Sequence, residues 1–148
     1  VAPYSIVIAK NSKASKVFSN EINREANKYA QLNIALNKVK DRVELLAGDI
    51  KRLVRARKIK EKFNVIVMPR PQLKETFLKE AFALSETGKQ GTRVYYYDFC
   101  KTDEINSVVD KIKKEAKKYK KRIKILNVKR AGELAPYKIR LRVDFKII

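Results

Sequence analysis

Val65-Ile66-Val67-Met68-Pro69-Arg70-Pro71 sets a continuous apolar run directly against a loop in which two prolines fix φ. The run has no alternating polar positions, so both of its faces are expected to be buried, as in a parallel sheet covered by helices. Helical spacing follows over residues 72–85, where Leu73, Phe77, Ala81 and Leu84 recur on one face and Gly88 offers a stop. A strand followed by a helix is the repeating unit to look for on either side.

Upstream, a β-prone run at residues 17–20 precedes a helix over 24–36, with Asn23 as its N-cap and Ala26, Tyr29, Ala30, Asn33 and Leu36 at helical spacing. A second run at 43–47 leads into a basic helix over 50–58. Downstream, a run at 92–99 leads into a helix over 103–120, whose Ile105, Val108, Val109, Ile112, Ala116 and Tyr119 trace one face opposite a lysine face. The chain closes on two strands, 123–129 and 138–148, the second alternating Ile139, Leu141, Val143, Phe145 and Ile147 with polar residues. They read as an antiparallel hairpin with Gly132 and Pro136 in a long connection. The class is therefore α/β, with a mainly parallel sheet and a C-terminal antiparallel hairpin. An apolar helix over residues 4–9 opens the chain with no strand before it. In doubly wound sheets the first strand is central. The expectation is that this strand lies outside the chain, and that residues 1–148 form one domain truncated at its N-terminus.

The chain has 148 residues, 45% of them hydrophobic, which suits one packed domain. Thirty-six Lys and Arg against sixteen Asp and Glu leave a net charge of +20, which points to a polyanionic partner. With no histidine and a single cysteine, Cys100, His/Cys zinc sites, Ser-His-Asp triads and intrachain disulfides are excluded. No metal is expected. No apolar run approaches the ~20 residues of a membrane span, and residues 1–10 lack signal-peptide features, so a cytoplasmic protein without membrane contact is expected.

Three positions fall at strand ends, where α/β folds hold their ligands. Glu21 is placed to accept both hydroxyls of a ribose, and Asp49 to accept a hydrogen bond from an adenine amino group. Met68-Pro69-Arg70-Pro71 adds a rigid wall, and together these describe a nucleoside pocket. Each has a plainer alternative. A carboxylate before a helix also serves as a cap, and the prolines also end a strand. Arg70 is either a bidentate contact to a base or phosphate or a solvated loop residue. Tyr95-Tyr96-Tyr97 reads as strand packing and Cys100 as a buried thiol.

A family resemblance rests on several motifs together: residues 1–10, Glu21-Ile22-Asn23, Leu36-Asn37-Lys38-Val39, Asp41-Arg42-Val43, Gly48-Asp49 and Tyr95-Tyr96-Tyr97-Asp98. Leu134-Ala135-Pro136-Tyr137 and Val143-Asp144-Phe145-Lys146-Ile147 extend it to the end. The chain resembles the archaeal and eukaryotic tRNA guanine-N1 methyltransferases that modify the purine 3′ of the anticodon, with wyosine-pathway relatives on the same scaffold. The resemblance implies a Rossmann-like class I methyltransferase domain, S-adenosylmethionine as cofactor and tRNA as partner. Tyr4 would lie against the cofactor, Glu21 would hold its ribose, and Ile22 and Asn23 would flank its adenine. Asp49 and Ile50 would contact the adenine edge; Met68 and Pro71 are assigned to the cofactor, and Arg70 to the substrate, from their place at the strand end.

The sequence departs from the family pattern in three places. Ala2 stands at the second glycine position of Gly-x-Gly, and Pro69-Arg70-Pro71 stands in place of Asn-Leu-Pro or Asn-Pro-Pro. The family's general base and tRNA-recognition domain lie upstream of these residues, so no catalytic residue is assigned. Methyl transfer to a guanine ring nitrogen is the leading reading. Aminocarboxypropyl transfer on the same scaffold and a non-catalytic RNA-binding module are the alternatives. Part of the positive charge, in Lys111, Lys113, Lys114, Lys117, Lys118, Lys120, Lys121 and Arg122 and in Arg52, Arg55, Arg57, Lys58, Lys60 and Lys62, is expected to meet RNA phosphates.

Overall fold

The computed structural model describes residues 1–69, 75–86, 88 and 90–148. They form two compact units, Val1–Ile59 and Lys60–Ile148. The first contains α1 (Pro3–Asn11), β1 (Val17–Glu21), α2 (Arg24–Leu36), β2 (Val43–Ala47) and α3 (Ile50–Arg55). β1 and β2 pair in parallel, from Val17 opposite Val43 to Glu21 opposite Ala47. Ile6 and Ala9 of α1, one turn apart, join Ile34, Val39 and Val43 in this unit's core.

Two expectations need correction in this unit. The buried face of α2 is Asn27, Ala30 and Ile34. Tyr29 and Leu36 are exposed, Leu36 at 79%. The helix is turned so that the Asn27 amide reaches the end of β1, donating to the carbonyls of Glu21 and Asn23 at 2.9 Å each. The basic helix stops at Arg55 rather than at residue 58. Arg57 takes φ 51, and the Lys58 N–H turns back onto the Leu53 carbonyl at 3.0 Å.

The second unit contains β3 (Val65–Met68), α4 (Leu78–Leu84), β4 (Thr92–Lys101), α5 (Ile105–Lys118), β5 (Ile123–Ala135) and β6 (Lys138–Ile147). Its sheet order is β3-β4-β6-β5. β3 is parallel to β4, whereas β4–β6 and β6–β5 are antiparallel. The α/β class holds: among the described residues β1 and β2 form a parallel pair, and the four-stranded sheet is mixed and closes on the expected antiparallel hairpin of β5 and β6. Val108, Ile112 and Ala116 of α5 pack with Val94, Tyr96, Val143 and Phe145 in one core. Ile105, Val109 and Tyr119 flank them, as the spacing indicates. Gly91 enters β4 at φ +59, where a Cβ would lie 2.2 Å from the Ile147 carbonyl oxygen, so only glycine fits.

α4 begins six residues later than its spacing suggests, because Phe77 adopts φ 52 and breaks the helix before Leu78. Leu78, Glu80, Ala81 and Phe82 are its buried residues, while Phe77 and Leu84 are half-buried and Leu73 lies outside the described residues. Ser85, extended, ends the helix ahead of Gly88. The closing hairpin has a tight turn instead of a long connection. β5 runs to Ala135, and only Pro136-Tyr137 separate it from Lys138. Gly132 lies within β5 at a register shift, where a bulge uses its conformational freedom.

Candidate functional site

The C-terminal ends of β1 and β2 lie side by side, and each is followed by a capped helix. The Gly48 N–H donates to the Glu21 carbonyl at 2.9 Å, which ties the two strand ends together. Asn20 strengthens the tie, its Nδ2 donating to the carbonyls of Leu46 at 2.7 Å and Gly48 at 2.9 Å. Glu21 and Asp49, the two strand-end carboxylates, are thereby held on neighbouring strands of one parallel pair.

Glu21 Oε1 accepts from the Asn23 N–H at 2.8 Å. The other carboxylate oxygen accepts no hydrogen bond from any described residue. Ile22, between these two residues, is 60% exposed, an apolar side chain displayed beside a carboxylate. Asn23 caps α2, its Oδ1 accepting from Glu25 N at 2.9 Å and Ala26 N at 3.3 Å. Asp49 caps α3 by accepting from Lys51 N at 2.9 Å, and its second oxygen lies 4.0 Å from Arg52 Nε. Ile50, the first residue of α3, is half-buried. Asp49 is therefore a helix cap, Glu21 instead braces the N–H of the capping Asn23, and each carboxylate keeps a second oxygen outside that hydrogen bond.

Tyr4 is an exposed residue in the first turn of α1. Ala2, ahead of it, adopts φ 58 and ψ 33, the left-handed conformation that glycine accepts without strain. Alanine thus occupies a backbone position shaped for glycine. The Val1 carbonyl accepts from Asn33 Nδ2 at 3.1 Å, which fastens this entry to α2.

In the second unit, Met68 ends β3 and is half-buried. Arg70 and Pro71 lie outside the described residues. Pro69 is held from behind by Arg140 on β6, whose Nη2 donates to its carbonyl at 3.2 Å. Sequence reasoning missed three positioning residues: Asn20, Asn27 and Arg140. The density of asparagine in Asn20-Glu21-Ile22-Asn23 and again at Asn27 was the available signal, since amides at strand ends satisfy backbone groups that a turn leaves open.

The plainer readings hold elsewhere. Tyr96 is buried in the core, and its hydroxyl donates to Asp98 Oδ2 at 3.0 Å. Burial, reinforced by that carboxylate, holds the phenol above its ordinary value. Cys100 is a buried free thiol. Among the described residues no helix is long and apolar enough to cross a membrane, and no group of three potential ligands is arranged to hold a metal ion.

A family model for the TRM5/TYW2 methyltransferase domain matches residues 1–126. The tRNA (guanine(37)-N(1))-methyltransferase Trm5b of Pyrococcus abyssi (strain GE5 / Orsay) is 32% identical over 148 residues, covering 99% of this chain and 41% of its own length. The crystal structure of wild-type Trm5b from Pyrococcus abyssi superposes with a TM-score of 0.80 at 29% identity, covering 98% of this chain and 41% of that one. Methanocaldococcus jannaschii Trm5, in complex with adenosine, superposes with a TM-score of 0.77 at 25% identity, covering 98% and 40%. The chain therefore spans about two fifths of the length of the curated relative it matches.

Proposed function

The chain belongs to the TRM5/TYW2 methyltransferase family, and from that premise we propose that it is the cofactor-binding domain of a tRNA-modifying enzyme. In this reading residues 1–148 act as one domain that binds S-adenosylmethionine. The methyl group goes to a ring nitrogen of a guanine next to the anticodon. One observation carries the reading: Glu21 and Asp49 sit at neighbouring strand ends, each with a second oxygen outside the hydrogen bond it accepts, in a chain 32% identical to a tRNA guanine-N1 methyltransferase.

The donor set suits an adenosine moiety. The uncommitted Glu21 oxygen can accept from ribose hydroxyls, and the exposed Ile22 offers an apolar surface to a purine ring. Asn23 fixes the backbone beside that surface. Asp49 and the start of α3 at Ile50 supply an acceptor and a backbone edge for the adenine. Tyr4, exposed in the first turn of α1, is assigned to the same moiety, and Met68 and Pro71 are assigned to the cofactor as strand-end residues of the sequence. When bound, the cofactor supplies a methyl group already activated on a sulfonium. The protein's own task is then alignment, through strand ends locked by Asn20 and Asn27, and exclusion of water. Arg70 is assigned to the substrate base or a phosphate. No catalytic residue is assigned within the chain, and the acceptor for the guanine proton belongs to the tRNA-recognition part that the proposal places upstream. The exposed lysines of α5 and the basic cluster of residues 52–62 are assigned to tRNA phosphates. The same proposal makes the protein cytoplasmic.

Pro69-Arg70-Pro71 keeps aminocarboxypropyl transfer as a second reading. Incubating the protein and tRNA with S-adenosylmethionine labelled either in its methyl or in its carboxyl carbon separates the two. Counts in RNA from the methyl label alone support the first reading. Counts from the carboxyl label support the second, and none from either, measured with the upstream part that supplies the proton acceptor present, contradicts both.

A further inference from the structure

Tyr96 of β4 pairs with Met68, the last residue of β3, yet β4 continues for five further residues to Lys101. At ~3.3 Å per residue the extension is ~17 Å long. It is not a lone ribbon: Lys101 pairs with Lys138 and Tyr97 with Arg142 on β6, while Lys129 to Ala135 of β5 pair along the other side. A three-stranded arm therefore projects past the C-terminal end of β3, the edge at which parallel strands hold their ligands.

The chemistry of the arm is unusual for a sheet. Lys101, Lys129, Arg130, Lys138, Arg140 and Arg142 stand against two carboxylates, Asp98 and Glu133. Asp98 is already engaged by the Tyr96 hydroxyl and lies 3.7 Å from Lys111 Nζ. Lys101 faces Lys138 directly across the ladder, and Lys129 faces Arg142. Arg142 is already paired with Asp144, its Nε 2.7 Å from Oδ1, but Lys101 and Lys138 have no such partner among the described residues. Like charges opposite one another destabilise a sheet, so this end of the arm favours an external anion. Lys101, Lys129, Arg130 and Lys138 are exposed and make no ion pair among the described residues. Aromatic surface is interleaved with this charge. Arg140 lies 4.7 Å from the Tyr97 ring centre and Arg142 5.3 Å from that of Tyr95. At the tip, Tyr137 is 80% exposed. Tyr95 and Tyr97 are half-buried, so Tyr137 is the exposed ring of the three, and cations beside such a ring match an unpaired nucleotide, whose phosphate and base face need both.

We infer that the β4–β6–β5 arm grips loop nucleotides of the substrate tRNA beside the modified base, with Tyr137 as a stacking platform and Arg130 and Lys138 on phosphates. The inference rests on the transferase reading and identifies which part of the domain holds the RNA.

The test uses Tyr137→Ala and the double change Arg130→Ala with Lys138→Ala, whose exposed side chains leave the core untouched. Binding of unfractionated tRNA is followed by fluorescence anisotropy over a series of potassium chloride concentrations, and S-adenosylmethionine binding by calorimetry. Tyr137→Ala should weaken tRNA binding about tenfold. The double variant should also weaken it, and should reduce the slope of log affinity against log salt by about two. Unchanged tRNA affinity in both variants, with a loss instead in Lys113→Ala/Lys117→Ala, overturns the inference. So does an equal loss of binding to phosphatidylserine vesicles, which would make the arm a membrane contact. Loss of tRNA binding in a protein that shows no cofactor heat leaves the arm in place and removes the transferase reading.

Discussion

Arg140 Nη2 donates to the Pro69 carbonyl at 3.2 Å while its guanidinium stacks 4.7 Å from the Tyr97 ring centre. A single side chain thus joins β6 and β4 to the loop that follows β3. The position of Pro69 is accordingly set by the root of the projecting arm as well as by the end of β3.

Arg140→Leu should remove both the hydrogen bond and the stack, lowering stability by about 1–2 kcal/mol in urea unfolding. Arg140→Lys should recover less than half of the loss, because an ammonium lacks the planar fork that serves both partners at once. Full recovery by lysine would show that charge alone matters at this position.

Ala2 holds φ 58, so a change to glycine relieves a strained N-cap ahead of α1. Ala2→Gly should raise stability by about 1 kcal/mol. A lowered midpoint in thermal melts would contradict the assigned backbone.

Asn27 is 8% exposed and spends both amide hydrogens on the carbonyls of Glu21 and Asn23. Asn27→Ala should lower stability by about 1–2 kcal/mol and loosen the end of β1. Amide hydrogen exchange should then accelerate at Gly48, whose N–H bonds to the Glu21 carbonyl. Protection at Gly48 equal to that of the unchanged protein would separate Asn27 from the strand end.

Burial pushes the Cys100 thiol up, and the negative charges of Asp98, Glu104 and Asp103 act in the same direction. Folding therefore favours the neutral thiol. Its contribution is complete below the ordinary thiol value of about 8.5 and is lost as pH rises through the folded value. At about pH 8 iodoacetamide should alkylate the native chain far more slowly than the urea-unfolded chain. Equal rates would contradict a buried, protonated thiol.

The succession of strands and helices was legible because apolar periodicity differs sharply between them. What escaped were features governed by single backbone conformations and by polar burial. Phe77 at φ 52 starts α4 late, although nothing in a phenylalanine announces a left-handed residue. Tyr137 at φ 61 closes a two-residue turn, while Gly132, the expected turn residue, serves a bulge. Asn27 lies on the buried face of α2 because its amide completes the end of β1, a role that a search for hydrophobic stripes passes over. Of the candidate site, Glu21 and Asp49 were readable as strand-end carboxylates and Asn23 as a helix cap, whereas Ile22 came from the family resemblance. The asparagines that lock them, and the hold of Arg140 on Pro69, depend on contacts between segments far apart in sequence.

Calorimetric titration with S-adenosylmethionine tests the central claim most directly. The account predicts a saturable heat, weakened about tenfold by Asp49→Ala through loss of one charge-assisted hydrogen bond and unchanged by Lys117→Ala on the exposed face of α5. Absence of heat at about millimolar ligand, a concentration that would reveal even weak binding, or equal weakening by both changes, would contradict it.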